Sequence, residues 1–327
     1  MTLSLHDLNE LARQLPVLEF SPLMDCDWPR THFVQAYLNN YGINFTGEFK
    51  QVSHGFGCVN AAGFRIATHY WLPEKAQGSL VIVHGYYDHV GLFAKLIRFA
   101  LENNLAVLAF DLPGHGLSSG EPAVINSFNE YGDVLAELLQ QSSAIMPQPG
   151  YALGQSTGCA ILLNYLWRYA VTQNPFLPFK KIVLCSPLVL AQGWRGAALG
   201  QYVYAVLRHF VRRIPRAFSH NSHDPDFLQF LREQDPLQAR YLSLAWVGAM
   251  KQWYEFVQAA VPLKNDILIV QGTGDQTVDW RYNLPLLESK LTNARIEFIS
   301  EAGHQLVNES DFYREQVFSA IKHYFSI

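Results

Sequence analysis

Gly154-Gln155-Ser156-Thr157-Gly158 is a serine with a glycine two positions away on each side. The short apolar run Tyr151-Ala152-Leu153 precedes it, and an apolar segment compatible with a helix, Cys159 to Ala170, follows it. A serine in a tight strand-to-helix turn has a strained backbone and needs very small neighbours at these positions. The turn also brings the hydroxyl to the positive end of the new helix. The pattern therefore indicates a nucleophilic Ser156; the alternative is a plain glycine turn.

Short apolar runs alternate with helical segments along most of the chain. The expected strands are 47–53, 64–72, 80–84, 105–110, 150–155, 181–185, 267–271 and 295–300. The expected helices are 3–15, 30–41, 92–102, 127–141, 157–170, 282–291 and 310–325. This alternation predicts an α/β fold whose central sheet is mostly parallel and flanked by helices on both faces.

The alternation stops between about 188 and 262, where aromatic residues recur at helical spacing without a clear strand. We expect a helical insertion over the carboxyl edge of the sheet, where open α/β sheets bind ligands. The predicted organisation is an N-terminal helical extension (1–45), a core made of 46–187 and 263–327, and a helical cap (188–262).

Composition excludes several classes of function. The 327 residues are 49% hydrophobic and 16% charged, with a net charge of −4, so a large globular core is expected and nucleic acid is an unsuitable partner. The scattered cysteines, Cys26, Cys58, Cys159 and Cys185, form no metal-binding spacing, and neither a metal nor a cofactor is expected. No apolar run reaches the length of about 18 residues that a spanning helix needs. We expect a soluble, cytoplasmic protein with reduced cysteines and at most peripheral membrane contact.

A nucleophilic serine needs a base, and the base needs a carboxylate that orients it. Asp275 follows the strand at 267–271, and His304 follows the last strand, so both belong at the same sheet edge as Ser156. The rival acids are Asp279, four residues further on, and Asp266, which precedes its strand. The rival bases, which we interpret as loop-organising residues, are His84, His89 and His115.

The oxyanion formed during attack requires donors that are already in position. One candidate is the backbone N–H of Thr157, directly after the serine. The other is the N–H of Tyr86, in the loop where Gly85 allows close approach; an ordinary glycine turn is the alternative for this loop.

Together these residues resemble the monoacylglycerol lipase and lysophospholipase branch of the α/β-hydrolases. The most specific match is Asp111 to Glu121, which is similar to the family's D-x-x-G-H-G-x-S-x-G loop. The His84 loop, the serine turn, Asp275 and His304 follow in family order, so the resemblance covers roughly residues 45 to 325. The segment from Ser222 to Leu237 looks like the cap of bacterial lysophospholipases.

The chain departs from the family pattern at Gln155, Thr157 and Cys159, and at the apolar Val90 and Phe93. These departures leave the substrate subclass open. The resemblance implies that cap aromatics such as Trp194, Trp246 and Trp253 line an acyl pocket; packing onto the sheet is the alternative. The arginines at 208, 212, 213 and 216 are candidates for a phosphate headgroup or an anionic membrane, or for a solvated helix face.

The sequence predicts a serine hydrolase that cleaves a lipid ester, such as a monoacylglycerol or a lysophospholipid, through an acyl-enzyme. Three alternatives are an acyltransferase with the same triad, a peptidase of related fold, and a lipid-binding protein without catalysis.

Overall fold

The computed structural model describes residues 3–20, 32–45, 47–170, 178–194 and 210–327. Eight of the ten strands in this part form one sheet, in the order β1-β2-β4-β3-β5-β6-β9-β10. The strands are β1 Val52–Ala61, β2 Phe64–Pro73, β3 Gly78–Val83, β4 Leu105–Phe110, β5 Gly150–Gln155, β6 Lys181–Cys185, β7 Arg213–Pro215, β8 Tyr241–Ser243, β9 Ile267–Gly272 and β10 Ala294–Ile299. The β1–β2 and β2–β4 pairs are antiparallel and all others in this sheet are parallel, which confirms the predicted mostly parallel sheet.

Helices cover both faces of the sheet. They are α1 Leu5–Gln14, α2 His32–Asn40, α3 Ala94–Glu102, α4 Phe128–Ser142, α5 Thr157–Tyr165, α6 Pro225–Gln229, α7 Leu244–Ala259, α8 Trp280–Lys290 and α9 Asp311–Phe325. Helices α4, α5, α7 and α8 share one hydrophobic cluster, while α1, α2, α3 and α9 share another. Successive residues of β3 alternate between the two clusters, Val81 in the first and Ile82 in the second, as the period of a strand requires.

The first strand differs from the expectation, because β1 spans Val52–Ala61 and not 47–53. Its end is set by a two-residue turn in which Ala62 and Gly63 have φ values of 46° and 81°. Positive φ at both central residues is the geometry that joins two twisted antiparallel strands. Gly55 and Gly57 interrupt the apolar pattern inside β1, so its periodicity is weak.

The N-terminal extension joins the sheet. Beyond α1, the Cys58 N–H donates to Pro16 O (2.7 Å) and the Leu18 N–H donates to Cys58 O (2.8 Å). This short pairing covers the outer edge of β1, which would otherwise present unpaired backbone groups. Helix α1 is fastened at its start by a capping box between Ser4 and Asp7.

The segment between β6 and β9 lies over the carboxyl edge of the sheet. It contains α6 and α7 and also a small antiparallel pair, β7 with β8, which corrects the expectation of a cap without strands. Isolated three-residue strands leave no periodic signal in the sequence. The division into 1–45, 46–187 with 263–327, and 188–262 stays a prediction. None of the helices in the ranges described is long and apolar enough to cross a bilayer.

Candidate active site

Ser156 lies on a sharp turn between β5 and α5, with φ 55° and ψ −110°. A Cβ on Gly154 would lie 2.6 Å from the Cys159 nitrogen, and one on Gly158 would lie 2.0 Å from Val83 O. Both positions therefore require glycine, for the reason that the sequence suggested. The side chain of Ser156 is partly exposed, and it opens into a cavity beneath the cap.

The structure brings Asp275 and His304 together at the ends of β9 and β10. The Nδ1 atom of His304 lies 2.8 Å from Asp275 Oδ2, so Nδ1–H donates to the carboxylate. The other carboxylate oxygen accepts from the N–H groups of Thr277 (2.7 Å) and Val278 (3.2 Å). Burial alone would raise the pKa of Asp275, but His304 and these donors outweigh it and hold that pKa below its usual value.

The rival acids lie elsewhere. Asp279 is the residue before α8, and its backbone carbonyl accepts from the Asn283 N–H at 2.8 Å. Asp266 precedes β9, at the opposite end of that strand from Asp275, as its position in the sequence predicts. Of the three carboxylates, Asp275 is the one hydrogen-bonded to His304.

The rival histidines organise loops. His84 donates from Nδ1 to Gly85 O (2.8 Å) and accepts at Nε2 from the Leu112 N–H (2.9 Å). His115 contacts Pro113 O (2.9 Å), and burial lowers its pKa to about 4. Because both imidazoles are held neutral inside the protein, neither is poised as a base facing the cavity. The third, His89, lies 3.0 Å from Asp235 Oδ2 in a fully buried contact.

Tyr86 and Thr157 both line the cavity that contains Ser156 and His304. Gly85 allows this close approach, since a Cβ there would lie 2.8 Å from Asp88 Oδ2 and 3.3 Å from Gln155 O. Neither the Tyr86 N–H nor the Thr157 N–H donates to another backbone group of the described chain. The Tyr86 side chain is fixed by its hydroxyl, which donates to Ala123 O (2.7 Å), and by a stack on Trp246 (3.9 Å between centroids).

The cavity has a volume of about 430 Å³ and is roofed by the cap. Trp194 and Trp246 line it, but Trp253 does not. The Trp253 indole instead stacks on Phe128 of α4 (5.7 Å) and donates to Leu188 O (3.0 Å). The apolar part of the wall is formed by Leu188, Ala191, Trp194, Ile214, Leu242, Trp246, Val247, Met250 and Val278.

Three polar side chains around the site were not identified from the sequence. Buried Gln155 donates to the backbone carbonyl of His304 (2.8 Å). Gln305 donates to the carboxylate of Asp88 (3.2 Å), which connects the histidine loop to the Tyr86 loop. In the sequence, Gln155 and Gln305 are marked only by their positions next to Ser156 and His304. A buried side-chain amide needs a hydrogen-bond partner, and these partners are distant in the sequence. Burial raises the pKa of Asp88.

The arginine cluster divides in the structure. Arg208 lies outside the described residues, while Arg212 and Arg213 are exposed. Arg216 is half-buried and lines the cavity. Within the described residues, no three His, Cys, Asp or Glu side chains gather as potential metal ligands.

Comparisons with known proteins place the chain in a family. Residues 74–311 match the profile of the family described as Serine aminopeptidase, S33. Human monoglyceride lipase is 28% identical over 80% of this chain and 87% of its own length. A probable lysophospholipase L2 of Haemophilus influenzae is 24% identical over 79% of this chain and 87% of its own.

Solved structures show the same fold. A soluble variant of monoglyceride lipase from Saccharomyces cerevisiae superposes with a TM-score of 0.69 at 17% identity, covering 82% of this chain and 93% of that one. Monoacylglycerol lipase from Paleococcus ferrophilus superposes with a TM-score of 0.63 at 20% identity, covering 80% and 98%. At these identities the likeness concerns the fold alone. The chain therefore belongs to the Serine aminopeptidase, S33 family of hydrolases and has the α/β-hydrolase fold.

Proposed function

We propose that this protein hydrolyses carboxylic esters of lipids, such as monoacylglycerols or lysophospholipids, through an acyl-enzyme on Ser156. The observation that carries the proposal is the shared cavity, which is lined by Ser156, Tyr86, Thr157 and His304, with the His304 imidazole held by Asp275. The names of the human and Haemophilus relatives support this substrate class.

In the proposed reaction, Ser156 Oγ attacks the acyl carbonyl while His304 Nε2 takes the hydroxyl proton. The Tyr86 and Thr157 N–H groups stabilise the negative oxygen. Collapse of the tetrahedral intermediate expels the alcohol, which receives the proton from His304. Water then attacks the acyl-enzyme with His304 as base, releasing the fatty acid and regenerating Ser156. Asp275 keeps the imidazole oriented throughout.

The wall of the cavity supports a substrate with an apolar acyl chain. Its apolar side chains come mainly from the cap, and a pocket of this size and character is typical of small-molecule sites. We also propose that the protein works in the cytoplasm and that its membrane contact is peripheral. Three buried free cysteines, Cys58, Cys159 and Cys185, support a reducing compartment.

The decisive experiment compares the wild type with Ser156→Ala on p-nitrophenyl butyrate, a monoacylglycerol and a lysophospholipid. The variant should lose at least about 10³-fold in kcat and should no longer react with a fluorophosphonate probe. The control is Ser289→Ala, an exposed position on α8, which should retain both activities. Ester hydrolysis or labelling that survives in Ser156→Ala would contradict the mechanism.

The same enzyme preparation separates the remaining candidates. The family description names an aminopeptidase, so aminoacyl anilides test for peptide-bond cleavage. Product analysis with an added acceptor alcohol distinguishes hydrolysis from acyl transfer. Binding of a lipid without turnover of any ester would indicate a non-catalytic lipid-binding protein.

A further inference from the structure

Arg216 brings a positive charge into the catalytic cavity. It follows β7 of the cap and lines the same cavity as Ser156 and His304. Its guanidinium carbon lies 3.9 Å from the centroid of the Tyr87 ring and 4.4 Å from that of Phe218. Cation–π contacts with two rings stabilise the guanidinium at this place in the cavity wall.

The side-chain hydrogen bonds of Arg216 involve one of its three guanidinium nitrogens. Nη1 donates to Gln238 Oε1 (2.7 Å) and to Ala239 O (3.3 Å), which are both neutral acceptors. Nε and Nη2 have no acceptor among the residues that the structure describes. A guanidinium carries five N–H donors in a fixed fork, so an acceptor with two oxygens can still be bound.

The charge of Arg216 also lacks a carboxylate partner in the described chain. Arg98 and Arg168, by contrast, are paired with Glu48 and Asp133. The nearby acid in the cavity, Asp88, makes its side-chain hydrogen bonds with Gln305 and attracts Arg216 through space, without a direct hydrogen bond between the two. A partly desolvated guanidinium whose hydrogen-bond acceptors are both neutral can still bind an anion from outside the chain.

We propose that Arg216 binds the phosphate group of a substrate headgroup, so that monoacyl glycerophosphate esters are the preferred substrates over neutral monoacylglycerols. This inference rests on the proposed ester hydrolysis at Ser156. The acyl chain then occupies the apolar wall, the ester carbonyl lies at Ser156, and the phosphate lies in the fork of Arg216. Guanidinium and phosphate match in geometry and charge, which makes the contact specific as well as favourable.

The test uses two esters with the same acyl chain, 1-lauroylglycerol 3-phosphate and 1-lauroylglycerol, below their micelle concentrations. The wild type should have the higher kcat/KM for the phosphate ester. In Arg216→Gln the ratio of kcat/KM for the phosphate ester to that for the neutral ester should fall at least about tenfold, mainly through KM. Arg216→Lys keeps the positive charge but lacks the forked N–H donors of a guanidinium. Its ratio of the two kcat/KM values should therefore lie between those of the wild type and Arg216→Gln. Arg213→Gln, three residues earlier and exposed, should keep the wild-type ratio.

Inorganic phosphate provides an independent measurement and separates a free anion from a headgroup. It should inhibit hydrolysis of the neutral ester in the wild type, and more weakly in Arg216→Gln. Strong inhibition by phosphate without any preference for the phosphate ester would overturn the headgroup assignment. An equal loss of kcat/KM on both esters in Arg216→Gln would also overturn it, because Arg216 would then support the structure of the cap and not bind the headgroup. Failure of Ser156-dependent hydrolysis of p-nitrophenyl butyrate would instead contradict the proposed function itself.

Discussion

At the scale of single residues, the site depends on a backbone conformation that few sequences permit. Ser156 has a φ of 55°, which is costly for a residue with a side chain, and its neighbours compensate by lacking one. The strand-to-helix turn leaves the backbone of Gly158 against the end of β3, where Val83 and His84 present their carbonyl oxygens. The position of the hydroxyl is therefore coupled to the packing of the start of α5 against the end of β3.

Gly158→Ala tests this coupling. The added Cβ would lie 2.0 Å from Val83 O, so β3 or the turn must shift. We expect the free energy of unfolding to fall by about 1–3 kcal/mol, the usual cost of overpacking, and the ester hydrolysis to be lost. Urea unfolding and a p-nitrophenyl butyrate assay measure the two effects. Gly47→Ala is the control, because no atom lies within 4 Å of a Cβ at that position. Wild-type activity in Gly158→Ala would show that the turn tolerates a side chain.

The sequence predicts those site residues whose signals are local. Ser156 is marked by its glycines, and Asp275 and His304 are marked by the strands that precede them. Gln155 and Gln305 are different, because their partners lie 149 and 217 positions away in the chain. No pattern within a short window encodes such contacts. They become visible only when the loops after β3, β5 and β10 are brought to one edge.

At the scale of elements, buried Asp235 connects three parts of the chain. Its carboxylate accepts from the Tyr41 hydroxyl (2.7 Å), just after α2, and lies 3.0 Å from His89 Nε2, in the loop after β3. It also accepts from the Gln238 amide (3.0 Å) within the cap. Burial alone would raise the pKa of Asp235, but His89 and these donors lower it to about 2. Asp235 therefore links the N-terminal helices, the Tyr86 loop and the cap through contacts of a single carboxylate.

Asp235→Asn should show this connection as a pH-dependent loss of stability. Because the folded pKa of about 2 lies below the usual 3.8, the carboxylate stabilises the fold above about pH 4, and this contribution is lost as the pH falls toward 2. The wild type should exceed the variant in free energy of unfolding at pH 6, and the gap should narrow by about 1 kcal/mol at pH 3. Urea unfolding at both pH values measures it. The control is Asp226→Asn, at an exposed position on α6, which should have the same free energy of unfolding as the wild type at both pH values. A gap that is constant with pH would contradict the ionic origin.

The elements themselves were predictable to different degrees. The buried parallel strands and the helices between them appear close to their expected ranges, because their apolar periodicity is strong. The expected range of β1 was wrong because the end of this strand is set by the Ala62-Gly63 turn and not by a hydrophobic pattern. β7 and β8 are stabilised by their pairing with each other, which no single stretch of sequence reveals.

At the scale of the whole molecule, the N-terminal helices form part of one layer of the fold. Leu8 and Leu11 of α1 are 0% and 2% exposed and belong to the same cluster as α3 and α9. Together with the pairing of residues 16–18 along β1, they cover one face and one edge of the sheet. The extension is thus integral to the hydrophobic core.

Leu8→Ala should therefore destabilise the protein as a core substitution does, by about 2–5 kcal/mol. Leu5→Ala, on the exposed side of the same helix, should change the free energy of unfolding by less than about 0.5 kcal/mol. Deletion of residues 1–20 should lower the melting temperature further and cause aggregation through the uncovered β1 edge. Thermal unfolding and light scattering measure these effects. A truncated protein as stable as the full chain would show that the extension is dispensable.

The stack of Tyr86 on Trp246 has an optical consequence. The ring centroids of Trp246 and Tyr86 lie 3.9 Å apart, and both residues line the cavity that contains Ser156. Indole emission responds to its immediate surroundings, so a group that enters this space changes the light that the protein emits. Trp71 and Trp253, which are 1% and 2% exposed in the core, add a steady background. The protein thus carries its own fluorophore in the wall of the cavity that contains Ser156, and occupancy of the cavity can be followed without a label.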